Sequence, residues 1–381
     1  MNSNLAFRRP SGIDKAILDD CAAQARVLND AGRYRDVLDR FGPYAERALK
    51  AGHAGLLHQL GAAGSVIPDT GAHDQALSFL NTAVSTLHPE RDAAQLSLVL
   101  ADLALLYLIC GEPDAARHTY ARAQVAAGSD PLSTARLNRM CTQFTSPREA
   151  TQRLLAMAER TERTGMTGMD EPEGPQNSRE RACTQNNLGV SLRRNQEAGR
   201  SRRWLSKALQ AFRERGGDCA DVPLNNLGCL DADQSRFDSA DELFHRAEAQ
   251  IGDCSAAILV ESNRAGILFA REKYDECRAR LEKLLPRARR TGDKLYTTIV
   301  EQNLARALVV QREPQAALDL LERVVEVPLL ADDPLFQQAR AALQENARHQ
   351  RTRSANEVQP FPALPEARLY WPWIFASIEI L

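Results

Sequence analysis

The sequence predicts an all-α solenoid of stacked antiparallel helix pairs, and three observations carry that prediction. The stretch Gln185-Asn186-Asn187-Leu188-Gly189-Val190 returns as Leu224-Asn225-Asn226-Leu227-Gly228-Cys229, then more weakly as Ser262-Asn263-Arg264-Ala265-Gly266-Ile267 and Glu301-Gln302-Asn303-Leu304-Ala305-Arg306. Counted from the residue before each Gly or Ala, the copies sit at 188, 227, 265 and 304, spacings of 39, 38 and 39 residues. Such a period, with two helical patterns per unit, marks a helical array whose core is buried repeat against repeat. Finally, 44% hydrophobic, 26% charged and 6% aromatic residues suit a folded, helix-rich chain.

Taken in order, Ile13 to Lys50 carries two helical patterns that turn at Gly32 and Tyr34. His53 to Leu87 forms a second unit with a longer turn at Ile67-Pro68-Asp69-Thr70-Gly71, and Asp92 to Ala127 a third, broken at Gly111-Glu112-Pro113. Pro113 suits a first helical position, where its missing N–H costs nothing, and Pro314 repeats the device. Pro131 to Thr164 is a fourth unit, with Ser146 and Pro147 as N-cap and first residue of a helix. Gly165 to Ser178 is acidic and rich in Gly and Pro, so a flexible loop is expected at 165–178. It separates an N-terminal half, 1–164, from a C-terminal half, 179–350, whose four units end in a capping helix from Asp333 to His349. Residues 351–381 form a Pro-rich, then aromatic, tail.

The residues Leu188-Gly189, Leu192, Ser201, Leu205 and Ala208, and in the next unit Leu227, Gly228, Ala240, Phe244 and Ala247, resemble the tetratricopeptide repeat (TPR) family. The physical need is that two helices approach closely only where one offers Gly or Ala, with larger side chains filling the groove around the contact. The resemblance spans about residues 13 to 350 and departs in places: the early aromatic is missing, and Arg278 stands where the third unit needs a small residue. The long period is similar to that of the TPR subgroup found in kinesin light chains and bacterial peptide-sensing regulators. The resemblance implies a right-handed superhelix of about eight repeats with a capping helix, whose first helices line a concave groove.

Within that groove Asn186, Asn187, Asn225, Asn226, Asn263 and Asn303 would form a ladder, since at 100° per residue they lie off the stripe of Leu188, Gly189 and Leu192. An asparagine both donates and accepts, so it can grip a peptide backbone whatever its side chains. Arg193, Arg194, Arg264, Arg271 and Arg306 would then set specificity. The other reading is that the asparagines only tie neighbouring helices together. A carboxylate clamp is disfavoured, because Cys183, Val222 and Ile299 occupy the positions where it needs lysine.

Other chemistry is sparse. Net charge is −2, so no global field favours nucleic acid. The dense run Arg193, Arg194, Arg200, Arg202, Arg203, Lys207, Arg213 and Arg215 is either a solvated face or a site for phosphate or an acidic segment. The eight cysteines show no C-x-x-C pair and read as reduced structural thiols. No phosphate-binding loop, H-E-x-x-H, G-x-S-x-G or dinucleotide loop occurs, so no enzyme, cofactor or metal is expected. His53 and His58 are five apart, on different helix faces. With no signal peptide and no run of 18 apolar residues, the expectation is a cytoplasmic protein without a membrane span.

The function expected is a non-enzymatic scaffold or sensor that holds a peptide or extended protein segment in its groove, as a regulatory or assembly subunit. The alternative is a structural or inhibitory subunit of an enzyme complex, such as a protease or nuclease, contacted through the tail or convex face. The tail aromatics Tyr370, Trp371, Trp373 and Phe375 have three readings: a cap on the last repeat, a motif for another protein or a second copy of this chain, or an occupant of the chain's own groove.

Overall fold

Small residues on one helix facing large ones on the next fold the chain into helix pairs in the computed structural model. It describes all residues except 1–11, 31–32, 68–69, 142–143, 146, 168–174, 218, 252–255, 292, 323–333 and 353–381. Among the described residues every regular element is helical, and contacts divide the chain into two compact units, Met1–Leu137 and Asn138–Leu381.

The first unit holds α1 (Gly12–Asp30), α2 (Tyr34–Phe41), α3 (Ala45–Ala51), α4 (Ala54–Val66), α5 (Thr70–Thr86), α6 (Ala93–Ile109), α7 (Pro113–Ala127) and most of α8 (Pro131–Met140). The second helix of the first repeat is not continuous as expected. A 3₁₀ turn at Gly42–Tyr44 splits it, since Pro43 has no N–H to continue the α pattern. Leu18, Val37, Leu57, Leu60, Ala76 and Leu80 are among the side chains that share its core.

The second unit holds α9 (Pro147–Thr167), α10 (Pro175–Arg194), α11 (Ala198–Glu214), α12 (Asp221–Asp233), α13 (Phe237–Gln250), α14 (Ala256–Ala270), α15 (Tyr274–Arg290), α16 (Lys294–Val310), α17 (Pro314–Glu322) and α18 (Pro334–Thr352). Each even-numbered helix from α10 to α16 packs on the odd-numbered helix after it, and α10, α12, α14 and α16 touch in turn. We call these four the inner helices and α11, α13, α15 and α17 the outer ones. The units part at Leu137/Asn138 and not at the acidic loop. Cys141, Ala150, Leu154 and Ala158 share a core with Leu188, Leu192 and Trp204, which ties α9 to the repeats after it. The loop itself is shorter than expected: α9 runs on through Thr167 and α10 starts at Pro175, and residues 168–174 lie outside the described part, as does the expected cap Ser146.

The close approach read from Leu-Gly is explicit in space. A Cβ on Gly189 would lie 2.6 Å from Leu205 Cγ, and one on Gly228 2.7 Å from Phe244 Cε1. Arg278 does not fill the small position of its repeat. Cys277, one residue earlier, is the buried residue there, while Arg278 reaches out to Glu282 and Glu313.

A second repeated device fixes the turn inside each pair. Gly111, Gln196, Ser235, Glu272 and Arg312 all have left-handed backbone, with φ of 79°, 63°, 60°, 60° and 61°. The next N–H in each case reaches back to close the preceding helix, as in Glu197 N to Leu192 O and Arg236 N to Asp231 O, both 2.9 Å.

Candidate functional site

The inner helices bring five of the six asparagines into one hydrogen-bonded seam. Asn263 Nδ2 donates to Asn225 Oδ1 (2.8 Å), Asn225 to Asn226 (3.2 Å), Asn226 to Asn186 (2.9 Å) and Asn186 to Asn187 (3.1 Å). Asn225 and Asn263 also point N–H groups at Cys229 Sγ. Asn303 stands apart from this run and donates to Ser262 Oγ at 3.0 Å. All six are buried; Asn186, Asn225, Asn226, Asn263 and Asn303 bond to a neighbouring helix, and Asn187 accepts from Asn186 on its own. In a low-dielectric interior such a chain of amides polarises along its length and fixes the helix register.

Two neighbours on the seam are bonded differently. Gln302 stands two residues before its unit's Leu-Ala pair, the register of Asn186, Asn225 and Asn263 in theirs, and is only 2% exposed. Among the described residues neither its Nε2 nor its Oε1 has a hydrogen-bond partner. Gln185 Oε1 is buried and unpartnered too. Neither glutamine is a repeated residue of the motif, although the place of Gln302 in the repeat would have found it.

The arginines expected to set specificity are mostly struts between helices. Arg193 on α10 holds Asp233 on α12 through Nε (2.6 Å) and Nη2 (2.9 Å). Arg264 pairs with Glu248 on α13, and Arg271 with Asp238 and Asp241 there. Arg194 is half-buried at the end of α10. Only Arg306 joins the seam itself: it is fully buried, donates to Asn303 Oδ1, and burial pulls its guanidinium down to about 9. The basic run is likewise partly tied up, with Arg200 on Glu197, Arg202 on Asp231 and Lys207 over the Trp204 ring. Burial pushes the Asp231 carboxyl up, but Ser239, Arg236 and Arg202 outweigh it and hold it below its ordinary value.

In the first unit one buried polar cluster was missed. His58 on α4 meets Asp102 on α6 at 2.8 Å, and Arg136 on α8 takes the other carboxylate oxygen. Burial raises Asp102, yet Arg136 and His58 together keep it low. His53 caps α4 instead, accepting from Leu56 N at 3.1 Å. The described cysteines form no disulfide, and burial pushes Cys277 up to about 12, far from a reactive thiolate. Among the described residues no cluster could hold a metal ion and no helix is long and apolar enough to cross a membrane. Tyr370, Trp371, Trp373 and Phe375 lie outside the described residues.

This geometry agrees with what known proteins show. The tetratricopeptide repeat family model matches residues 180–250 and 255–328. No curated protein matches the chain. Among solved structures, a Rap protein complexed with competence and sporulation factor superposes with a TM-score of 0.61 at 13% identity, over 91% of this chain and 98% of that one. BtubC from P. vanneervenii pairs with 95% of this chain and 96% of its own at 15% identity, but at a TM-score of 0.24 it adds nothing to the fold assignment. Leu-Gly helix pairs at a 38–39-residue period, the matched repeats and the superposed structure agree: residues 180–328 are similar to tetratricopeptide repeats, and the fold is an all-α solenoid of that kind.

Proposed function

We propose that the inner helices α10, α12, α14 and α16 hold an extended peptide or protein segment along the amide seam, and that the protein is a regulatory or assembly subunit with no catalysis of its own. Gln302 carries this reading. A buried amide with no partner costs roughly 1–3 kcal/mol, and native proteins keep such groups where a function uses them. An extended backbone presents one N–H and one C=O per residue, the complement of a glutamine amide. The neighbouring Rap structure was solved with a bound factor, which supports a ligand role for this architecture.

The test is selection of displayed random peptides on the full chain, followed by affinity measurement on wild type and Gln302→Met. Methionine keeps the volume and removes the unpaired groups. The proposal expects enriched peptides that lose at least about tenfold in affinity, or 1.4 kcal/mol, on a variant that melts no lower than wild type. Failure to enrich any peptide, or equal affinity for both chains, would overturn it.

A further inference from the structure

We propose that a cleft between the outer helices α13 and α15 binds the dianionic phosphoryl group of a small phosphate monoester. The site shares no residue with the amide seam and stands independently of the peptide-binding reading.

The cleft starts from a difference among the inner helices. Ala182–Leu192 on α10, Val222–Ala232 on α12 and Thr298–Val309 on α16 are buried without a break. Helix α14 is not: Glu261, Arg264 and Leu268 are half-buried, and at 100° per residue they fall within about 60° of one another, on one face. That face looks out between two outer helices. Arg264 pairs with Glu248 of α13, and both oxygens of Glu261 accept from Arg287 Nη1 of α15, at 2.6 and 2.7 Å. Here a cleft of about 290 Å³ is lined by Glu261, Arg280, Lys283, Leu284 and Arg287.

The three cations follow one another at i, i+3 and i+7 on α15, so they share a face, and like charges at this spacing weaken a helix. The helix dipole accounts for cations in the last turn, Arg287, Arg289 and Arg290, but not for Arg280 and Lys283 before it. Nor do their partners use them up. Arg280 donates through Nη2 to Glu248 at 3.2 Å and Arg287 through Nη1 to Glu261, and Lys283 Nζ bonds to no described residue. With one carboxylate among the lining residues, the cleft holds a surplus of two positive charges. A phosphate monoester carries close to the opposite charge at pH 7, and its three oxygens accept from guanidinium forks and an ammonium together. Leu284, 1% exposed, offers its organic substituent an apolar floor. The place is too short for an extended chain. The bridge from Arg280 to α13 and the bridge from Arg287 to α14 stand about 10 Å apart along α15, and the volume lies at the small end of ligand pockets, so a compact molecule fits.

The experiment titrates phenyl phosphate into the full-length chain by calorimetry at low salt, with phenyl sulfate as the monoanion of the same shape. Phenyl phosphate should bind with a Kd of about 1 mM or tighter, at least about tenfold more tightly than phenyl sulfate. Lys283 is exposed, so Lys283→Met should melt with wild type while binding phenyl phosphate at least about fivefold more weakly. Lys15→Met, the same change on an exposed residue of the first unit, should leave binding unchanged. Lack of saturation by about 10 mM phenyl phosphate, equal affinity for phenyl sulfate, or wild-type affinity in Lys283→Met overturns the proposal. Two further results overturn it by giving the cleft another occupant. One is a phosphoserine peptide that binds at least about tenfold more tightly than phenyl phosphate and depends on Lys283. The other is retention on phosphatidate vesicles that Lys283→Met abolishes while phenyl phosphate fails to bind.

Discussion

At the scale of single residues, the pairing of Gly228 with Phe244 is the contact on which a repeat closes. A methyl group there would meet the ring at 2.7 Å, far inside van der Waals contact, so Gly228→Ala should cost about 1–3 kcal/mol in urea unfolding. Phe244→Leu in that background should recover part of the loss, a coupling that independent sites do not show. A different residue controls pH dependence. Asp293 caps α16 by accepting from Tyr296 N, and its burial lifts its carboxyl from 3.8 to about 6. The folded chain keeps this proton up to about pH 6 while the unfolded chain loses it near 3.8, so the contribution is present in acid and is lost as pH rises through that window. Asp293→Asn should remove roughly 2 kcal/mol of that pH dependence, measured as the difference in unfolding free energy between pH 4.5 and pH 7.

At the scale of the element, the turns between paired helices repeat more faithfully than their sequences do. Among the described turns the third repeat places glycine at the left-handed position; Gln196, Ser235, Glu272 and Arg312 hold the same conformation at a cost of about 1 kcal/mol each. Ser235→Gly should therefore stabilise the chain by about 0.5–1 kcal/mol, seen as a higher urea midpoint with unchanged slope, whereas Ser235→Val should destabilise it. These turns show what could and could not be read in advance. Leu188-Gly189 and Leu227-Gly228 were legible because a close helix approach demands the same small residue in every repeat. The left-handed turns were not, because four different side chains fill them. The arginine struts were hidden for a related reason: Arg193 meets Asp233 forty residues away, beyond any local pattern though one repeat on, and a search for opposite charges one period apart would have found it. Cys277 and Arg278 differ by one position, the limit of placing a helix register by period alone.

At the scale of the whole molecule, the two compact units are built from the same kind of helix pair but carry different polar interiors. The first crosses its helices with the charged cluster of His58, Asp102 and Arg136, the second with neutral amides. Neutral amides suit a seam that holds an extended segment, because its arrival strands no buried charge along most of the seam. Arg306, fully buried and donating to Asn303, is the exception. Gln302 is where a seam that binds differs from one that only supports, since its amide makes no bond to the described residues. The most direct measurement is the affinity of seam-selected peptides for Gln302→Met alongside the melting temperature of the same variant. The account predicts at least a tenfold loss of affinity, about 1.4 kcal/mol, with a melting temperature equal to or above wild type. Unchanged affinity, or a melting temperature several degrees lower, would contradict it.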